Sequence, residues 1–307
     1  MTLTVKAERS SVKRLAGVAS SADGARSRRG LRRRVFGFVD AVWGSLYPIC
    51  VVLGCVFILA PIIVVLIMSL SAAPSIVFPP PSLTLHRFLE IQPEIGRAFV
   101  NSMKLGAAVV VLNLLICIPA AFSIVRGRIP MRGLVTAIAR SPLQVPGIVM
   151  AVAFYLYYTT VQQNLGIPMR NNFWGLVVAH LVLTAPYMLT TLIAQLYTIQ
   201  GRFEEAAYGL GAGVVRTLWR VTLPQLKPSI IAGSFLAFVI SFEDVPVALF
   251  LAPAASATTL PVQLFNLAID SLSPTLFAAS TLVMLFAVVL VLAVERLVGL
   301  KKALTGI

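Results

Sequence analysis

Six stretches of this chain are apolar for long enough, or nearly so, to cross a bilayer as helices. They run approximately over 46–70, 99–125, 143–160, 175–200, 229–252 and 275–294. A hydrocarbon core of ~30 Å takes ~20 helical residues. The runs are continuously apolar rather than alternating, which favours helices over a barrel. The third is short and opens on Pro142, Pro146 and Gly147. With 58% hydrophobic and 12% charged residues, the chain has too little polar surface to cover a water-soluble fold. The expected fold class is an all-α membrane protein with six transmembrane helices.

Charge sets the sidedness. An even number of spans places both ends on one side. That side carries ten basic residues before position 35, then Arg126, Arg128, Arg132, Arg140, Arg202, Arg216, Arg220, Lys227, Arg296, Lys301 and Lys302. The other side carries Arg87, Arg97, Lys104 and Arg170. The positive-inside rule then makes both termini cytoplasmic, even with the N-terminal ten left out. The net charge of +14 is therefore topology information, not a nucleic-acid-binding face. Residues 1–40 read as a basic, disordered cytoplasmic tail, although a transit peptide has a similar composition. Residues 41–307 read as one transmembrane domain. Cys50, Cys55 and Cys117 all fall inside apolar runs without metal-ligand spacing, so they are read as packing, and no metal or other cofactor is expected.

The loop over 201–227 carries the functional signal. It reads as a short helix, a turn, and a second short helix ended by Pro224. Glu204 and Glu205 suit a helix's first turn, and Gly211 and Gly213 supply the turn. Arg216 and Arg220, four apart, share a polar face. Ala206, Ala207, Gly209, Gly211 and Ala212 leave a small surface that can enter a groove on another protein. An ordinary linking segment would account for the same residues.

This loop resembles the EAA motif of the permease subunits of ATP-binding-cassette (ABC) importers: Glu-Ala-Ala, three residues, Gly, nine residues, Ile, one residue, Leu-Pro. The matching positions are Glu205, Ala206 and Ala207, then Gly211, then Val221 in place of Ile, then Leu223 and Pro224. The resemblance covers about 78–302 and implies the type I importer permease fold. It also implies that these seven residues dock on a separate cytoplasmic ATPase. No GxxxxGK[ST] phosphate loop is present, so this chain is not expected to be the enzyme that hydrolyses ATP. The implied partners are a second permease, two ATPase copies and an extracytoplasmic solute-binding protein, in a bacterial inner membrane.

Further segments resemble the polyamine (spermidine/putrescine) permease subgroup. They include Phe78-Pro-Pro-Pro-Ser-Leu-Thr-Leu, Ser241-Phe-Glu-Asp-Val, Thr258-Thr-Leu-Pro-Val-Gln-Leu-Phe and Ser273-Pro-Thr. Permeases for opines, phosphonates or iron carry similar patterns. Glu243 and Asp244 are the acidic residues that fall well inside a span. A charge there costs ~2.5–3.5 kcal/mol even on insertion scales, and such residues usually face a cavity or a partner. Pro246 should kink or open the helix beside them. Ser241, Glu243 and Asp244 are therefore candidates to line a cation path, while a hydrogen bond to a neighbouring helix remains the alternative. Asn101, Asn113, Gln144, Tyr187 and His180 are read mainly as helix–helix hydrogen-bonding groups. Trp43, Tyr47, Trp174 and Tyr197 are read as interfacial anchors. A secondary transporter would be expected to show an internal inverted repeat, and none is evident. An enzyme would need a nucleophile or His/Asp constellation near span ends, and none is seen.

Overall fold

The computed structural model describes residues 44, 46–127, 129–199, 201–252, 258–270 and 273–298. The basic tail and the last lysines lie outside these residues. The described residues form helices and no strand, apart from one isolated bridge, Ser71 to Leu83. Five helical runs are long and apolar enough to cross a membrane, and a bent pair brings the number to six.

The first, α1, spans Leu46–Ser69. It belongs largely to a separate compact unit ending at Val64. From Val65 onward the chain forms a second unit. Its entry is held by Arg87, whose guanidinium donates to the carbonyls of Ser71, Ala72 and Ala73 and to Glu90. Then follow α2 (Pro93–Arg126), α3 (Arg132–Arg140), α4 (Gly147–Leu165) and α5 (Phe173–Thr198). The predicted third span begins later than expected. A 3-10 turn over Ser141–Gln144 precedes α4, and the segment 132–144 meets α4 at 105°. Pro146 explains the break, because the residue before a proline is pushed out of the helical region, and Val145 is extended.

The later elements are α6 (Arg202–Gly209), α7 (Val214–Thr217), a π-turn (Leu218–Thr222), α8 (Leu223–Glu243), α9 (Pro246–Leu251), α10 (Leu260–Asp270) and α11 (Pro274–Val298). Pro224 does not end the second loop helix. It lies inside a continuous helix, where the wide π-turn before it accommodates its ring and its missing N–H. Helix therefore runs without interruption over Val214–Glu243, 30 residues. At 1.5 Å per residue this is a rod of about 45 Å. It stops at Asp244–Val245, two residues before Pro246. The expected continuous run over 229–252 is thus two helices.

Helices α2, α5 and α8 pack on one another as the centre of this unit. Leu105, Val109, Tyr158, Val177, Val247 and Leu251 form one apolar core. Cys117, Ala121, Met188, Leu192, Leu196 and Leu226 form another. Close approach of α5 and α8 depends on Gly233. A Cβ built there would lie 2.6 Å from both Met188 Sδ and Thr191 Oγ1. Lipid offers no hydrophobic drive for helices to associate, so such small-residue contacts carry the packing. Gly233→Leu should force the helices apart at about 1–3 kcal/mol. The expected readout is a lower melting temperature in detergent; an unchanged one would show that the contact gives way freely.

Candidate functional site

The EAA-like loop folds into an exposed knob. Helix α6 ends in a Schellman closure. The Ala212 N–H donates to Ala207 O at 3.0 Å and the Gly211 N–H to Tyr208 O at 2.9 Å. That closure needs a left-handed residue, and Gly211 supplies it with φ +80°. Leu210, at the tip, is 90% exposed, and Phe203, Tyr208, Val214, Val215 and Trp219 are exposed around it. Gly211, Gly213, Val214, Arg216, Trp219 and Arg220 border a shallow concavity of about 500 Å³. Of the motif residues, Glu205, Ala206, Gly211 and Pro224 are exposed, and Ala207, Val221 and Leu223 are half-buried. The loop thus exposes a patch of large apolar side chains around its glycine turn.

What anchors the knob is a residue that the motif does not include. Glu204 is buried, and its carboxylate accepts from Arg126 Nε at 3.1 Å and from Thr222 Oγ1 at 3.1 Å. Arg126 Nη2 also donates to Ile199 O at 2.9 Å, just past the end of α5. One charged joint thus ties the ends of α2 and α5, the helix α6 and the π-turn leading into α8. Glu204 and Glu205 are indistinguishable as first-turn acids in the sequence; only the packing shows which one turns inward.

The second group lies where α8 breaks. His180 on α5 is fully buried, with Nδ1 3.0 Å from Ser241 Oγ and Nε2 3.7 Å from Asp244 Oδ2. The second distance is too long for a hydrogen bond. Asp244 Oδ2 accepts the Ala248 N–H at 2.9 Å, one of the donors that the start of α9 leaves unpaired. The structure therefore brings Ser241 and Asp244 together around His180. Glu243 points elsewhere: it is exposed and makes no ion pair or hydrogen bond among the described residues. The acidic neighbour of His180 comes from another helix, which inspection of its own span could not find.

Of the weaker polar candidates, Asn113 joins two helices. Asn113 Nδ2 donates to Thr184 Oγ1 at 2.7 Å between α2 and α5, and Thr184 in turn donates to His180 O. Asn101 Nδ2 donates to Thr258 O at 3.1 Å. Gln144 ends the 3-10 turn, and Tyr187 is partly exposed on α5. A separate cavity of about 260 Å³ is bordered by Ile95, Phe99, Leu260, Leu282, Val283 and Phe286 among others. Its lining holds no polar side chain, so it offers a cation nothing. No cluster of metal-ligating side chains occurs among the described residues.

Among curated proteins, the chain is 32% identical over 166 residues to the spermidine/putrescine transport system permease protein PotC of Haemophilus influenzae. That alignment covers 54% of this chain and 60% of the relative. It is 28% identical over 144 residues to the putrescine transport system permease protein PotI of Escherichia coli K12, covering 47% and 51%. The chain thus spans between half and three fifths of the length of these relatives. Among solved structures, a bacterial ABC transporter involved in the import of the acidic polysaccharide alginate superposes with a TM-score of 0.67 at 20% identity. It covers 84% of this chain and 96% of that one. The same kind of transporter, in complex with an alginate pentasaccharide-bound periplasmic protein, gives 0.64 at 15% identity, covering 87% and 96%. At such identities the likeness shows a shared fold. The model of one family, the binding-protein-dependent transport system inner membrane component, matches residues 56–301, most of the chain. This chain belongs to that family of inner membrane transport components.

Proposed function

We propose that the chain is the permease subunit of an ATP-binding-cassette importer for a small organic cation of the polyamine type. The observation that carries this reading is the exposed knob around Gly211, mounted on a helix that continues unbroken from Val214 into the membrane as far as Glu243. A load applied to such a knob is delivered to the span itself. The relatives named for spermidine and putrescine supply the solute class, and the carboxylates at the inner end of that rod suit a cation.

The reading assigns each part a task. Glu205, Ala206, Ala207, Gly211, Val221, Leu223 and Pro224 present the docking surface to a cytoplasmic ATPase. ATP-driven closure of two such ATPases moves the knobs, and the rigid span bundles rock between inward-open and outward-open states. Free energy enters only through this two-state change, since a partner shifts an equilibrium by its differential affinity for the two states. A second permease completes the pathway, and an extracytoplasmic binding protein delivers the solute. Both termini face the cytoplasm, as the Lys/Arg bias requires. Glu243, exposed at the end of the rod, borders the path, and Ser241 and Asp244 support that end from around His180. This chain performs no catalysis of its own.

The test is reconstitution. The chain, with the permease, ATPase and binding protein that co-purify with it, should take up labelled spermidine or putrescine into proteoliposomes only when ATP and magnesium are on the ATPase side. Uptake driven by an ion gradient without ATP would overturn the reading. ATP-dependent uptake of a different solute, with polyamines ignored, would overturn only the solute class.

A further inference from the structure

The segment between the second and third spans carries a surface that the transport reading does not use. Helix α3 is amphipathic, but its faces are reversed with respect to a water-soluble fold. Arg132, Thr136 and Arg140 recur every four residues and form one stripe, which is half-buried. Arg132 Nη2 donates to Gly127 O at 2.9 Å, and Thr136 Oγ1 donates to Arg132 O at 2.9 Å. Ala139, next to this stripe, packs on the core built by α2 and α5. The opposite face is Met131, Leu134, Val135 and Ile138, all exposed, with Met131 at 70% and Ile138 at 63%. Four large apolar side chains on one face, spaced by three, four and seven, form a continuous stripe.

Two features identify what covers that stripe. First, α3 is held at both ends by spans. It starts six residues after α2 ends at Arg126 and is followed at once by the turn into α4. It therefore cannot leave the level at which α2 exits the bilayer. Second, the run that includes α3 meets α4 at 105°. If α4 runs close to the membrane normal, α3 lies nearly in the membrane plane. The left-handed backbone of Met131, φ 55°, makes the turn into it. An in-plane helix with basic ends and an outward apolar face matches the geometry of interfacial helices.

We infer that α3 is an in-plane membrane-interface helix whose Met131–Leu134–Val135–Ile138 face is immersed in lipid acyl chains at the surface where α2 emerges. Its polar stripe faces the protein, and its aliphatic stripe faces lipid. The helix is an outrigger that fixes the depth of the α2–α4 connection beside the knob. This inference rests on the chain's membrane location and not on the solute.

The experiment uses the full-length chain in lipid nanodiscs. The exposed Cys50 and Cys55 are replaced by Ala and the buried Cys117 is kept. Single cysteines replace Ile138, Leu134 or, as an aqueous reference, Leu210, and each carries an environment-sensitive fluorophore. Labels at 138 and 134 should be quenched at least about threefold more by lipid bearing an acyl-chain nitroxide than by aqueous iodide. The label at 210 should show the reverse preference. Iodide quenching at 138 and 134 equal to that at 210 would overturn the inference. So would shielding of both positions from both quenchers, which would mean that a protein surface covers the stripe. Two positions on the stripe keep the test valid if one variant folds poorly.

Discussion

Reversing the charge of Arg126 should abolish ATP-dependent uptake while leaving the chain inserted in the membrane. Arg126 lies at the end of α2, remote from the docking surface in sequence, yet its Nε donates to Glu204 at 3.1 Å and its Nη2 to Ile199 O at 2.9 Å. In Arg126→Glu, two carboxylates face each other where an ion pair stood. At about 4 Å and an effective dielectric of 20, that repulsion is on the order of 4 kcal/mol. The arginine side chain is 24% exposed, so solvent screens part of this. What remains, with the loss of the Ile199 bond, is enough to detach α6 from the rod that starts at Val214. The expected measurements are a fall in uptake of more than about tenfold and weaker co-purification with the ATPase. The exchange variant Arg126→Glu/Glu204→Arg should recover part of both. Recovery will be incomplete, because the new acid cannot donate to Ile199 O. Wild-type uptake by Arg126→Glu alone would remove the joint from the transmission path.

Several of these features were legible in the residues, and the reasons for the others are specific. Apolar run length located the spans, because lipid leaves the backbone no partner except its own helix. The seven motif residues were found by their resemblance to a family motif, and Gly211 sits where a left-handed residue is needed. Pro246 announced a break beside Asp244, and the helix does stop at Glu243. Pro224 misled, since a proline ends a helix only when no wider turn accommodates it, and a π-turn does so here. The pairing of Glu204 with Arg126 spans 78 positions and that of His180 with Ser241 spans 61. Side-chain pairing at such separation leaves no periodic trace in one sequence. Helix α3 was missed for another reason. Its arginines read as topology markers, and nine residues with alternating small and branched side chains are too few to stand out from a loop.

The last expectation separates the two adjacent carboxylates that sequence alone treats as a pair. Asp244 is committed to structure: it accepts the Ala248 N–H at 2.9 Å and lies 3.7 Å from the buried His180 ring. Asp244→Asn keeps an oxygen that can accept the same N–H, so the membrane-inserted protein should persist with a modest loss of stability. Asp244→Leu removes the acceptor and leaves the buried Ala248 N–H without its partner. Its cost is that of a lost helix cap, about 0.5–2 kcal/mol. That loss should be visible as reduced folded protein in the membrane. Glu243 has no such duty and is exposed at the end of the rod. Glu243→Gln should therefore leave folding untouched and act on the solute alone. A hydrogen bond to a charged group contributes ~1.5–3 kcal/mol, so KM for the cation should rise roughly 10- to 100-fold with the maximal rate less affected. A neutral solute carried by the same complex should be indifferent to the change. If Glu243→Gln and Asp244→Asn both transport polyamine as the parent does, the carboxylates are not part of the path, and the break in the helix serves packing alone.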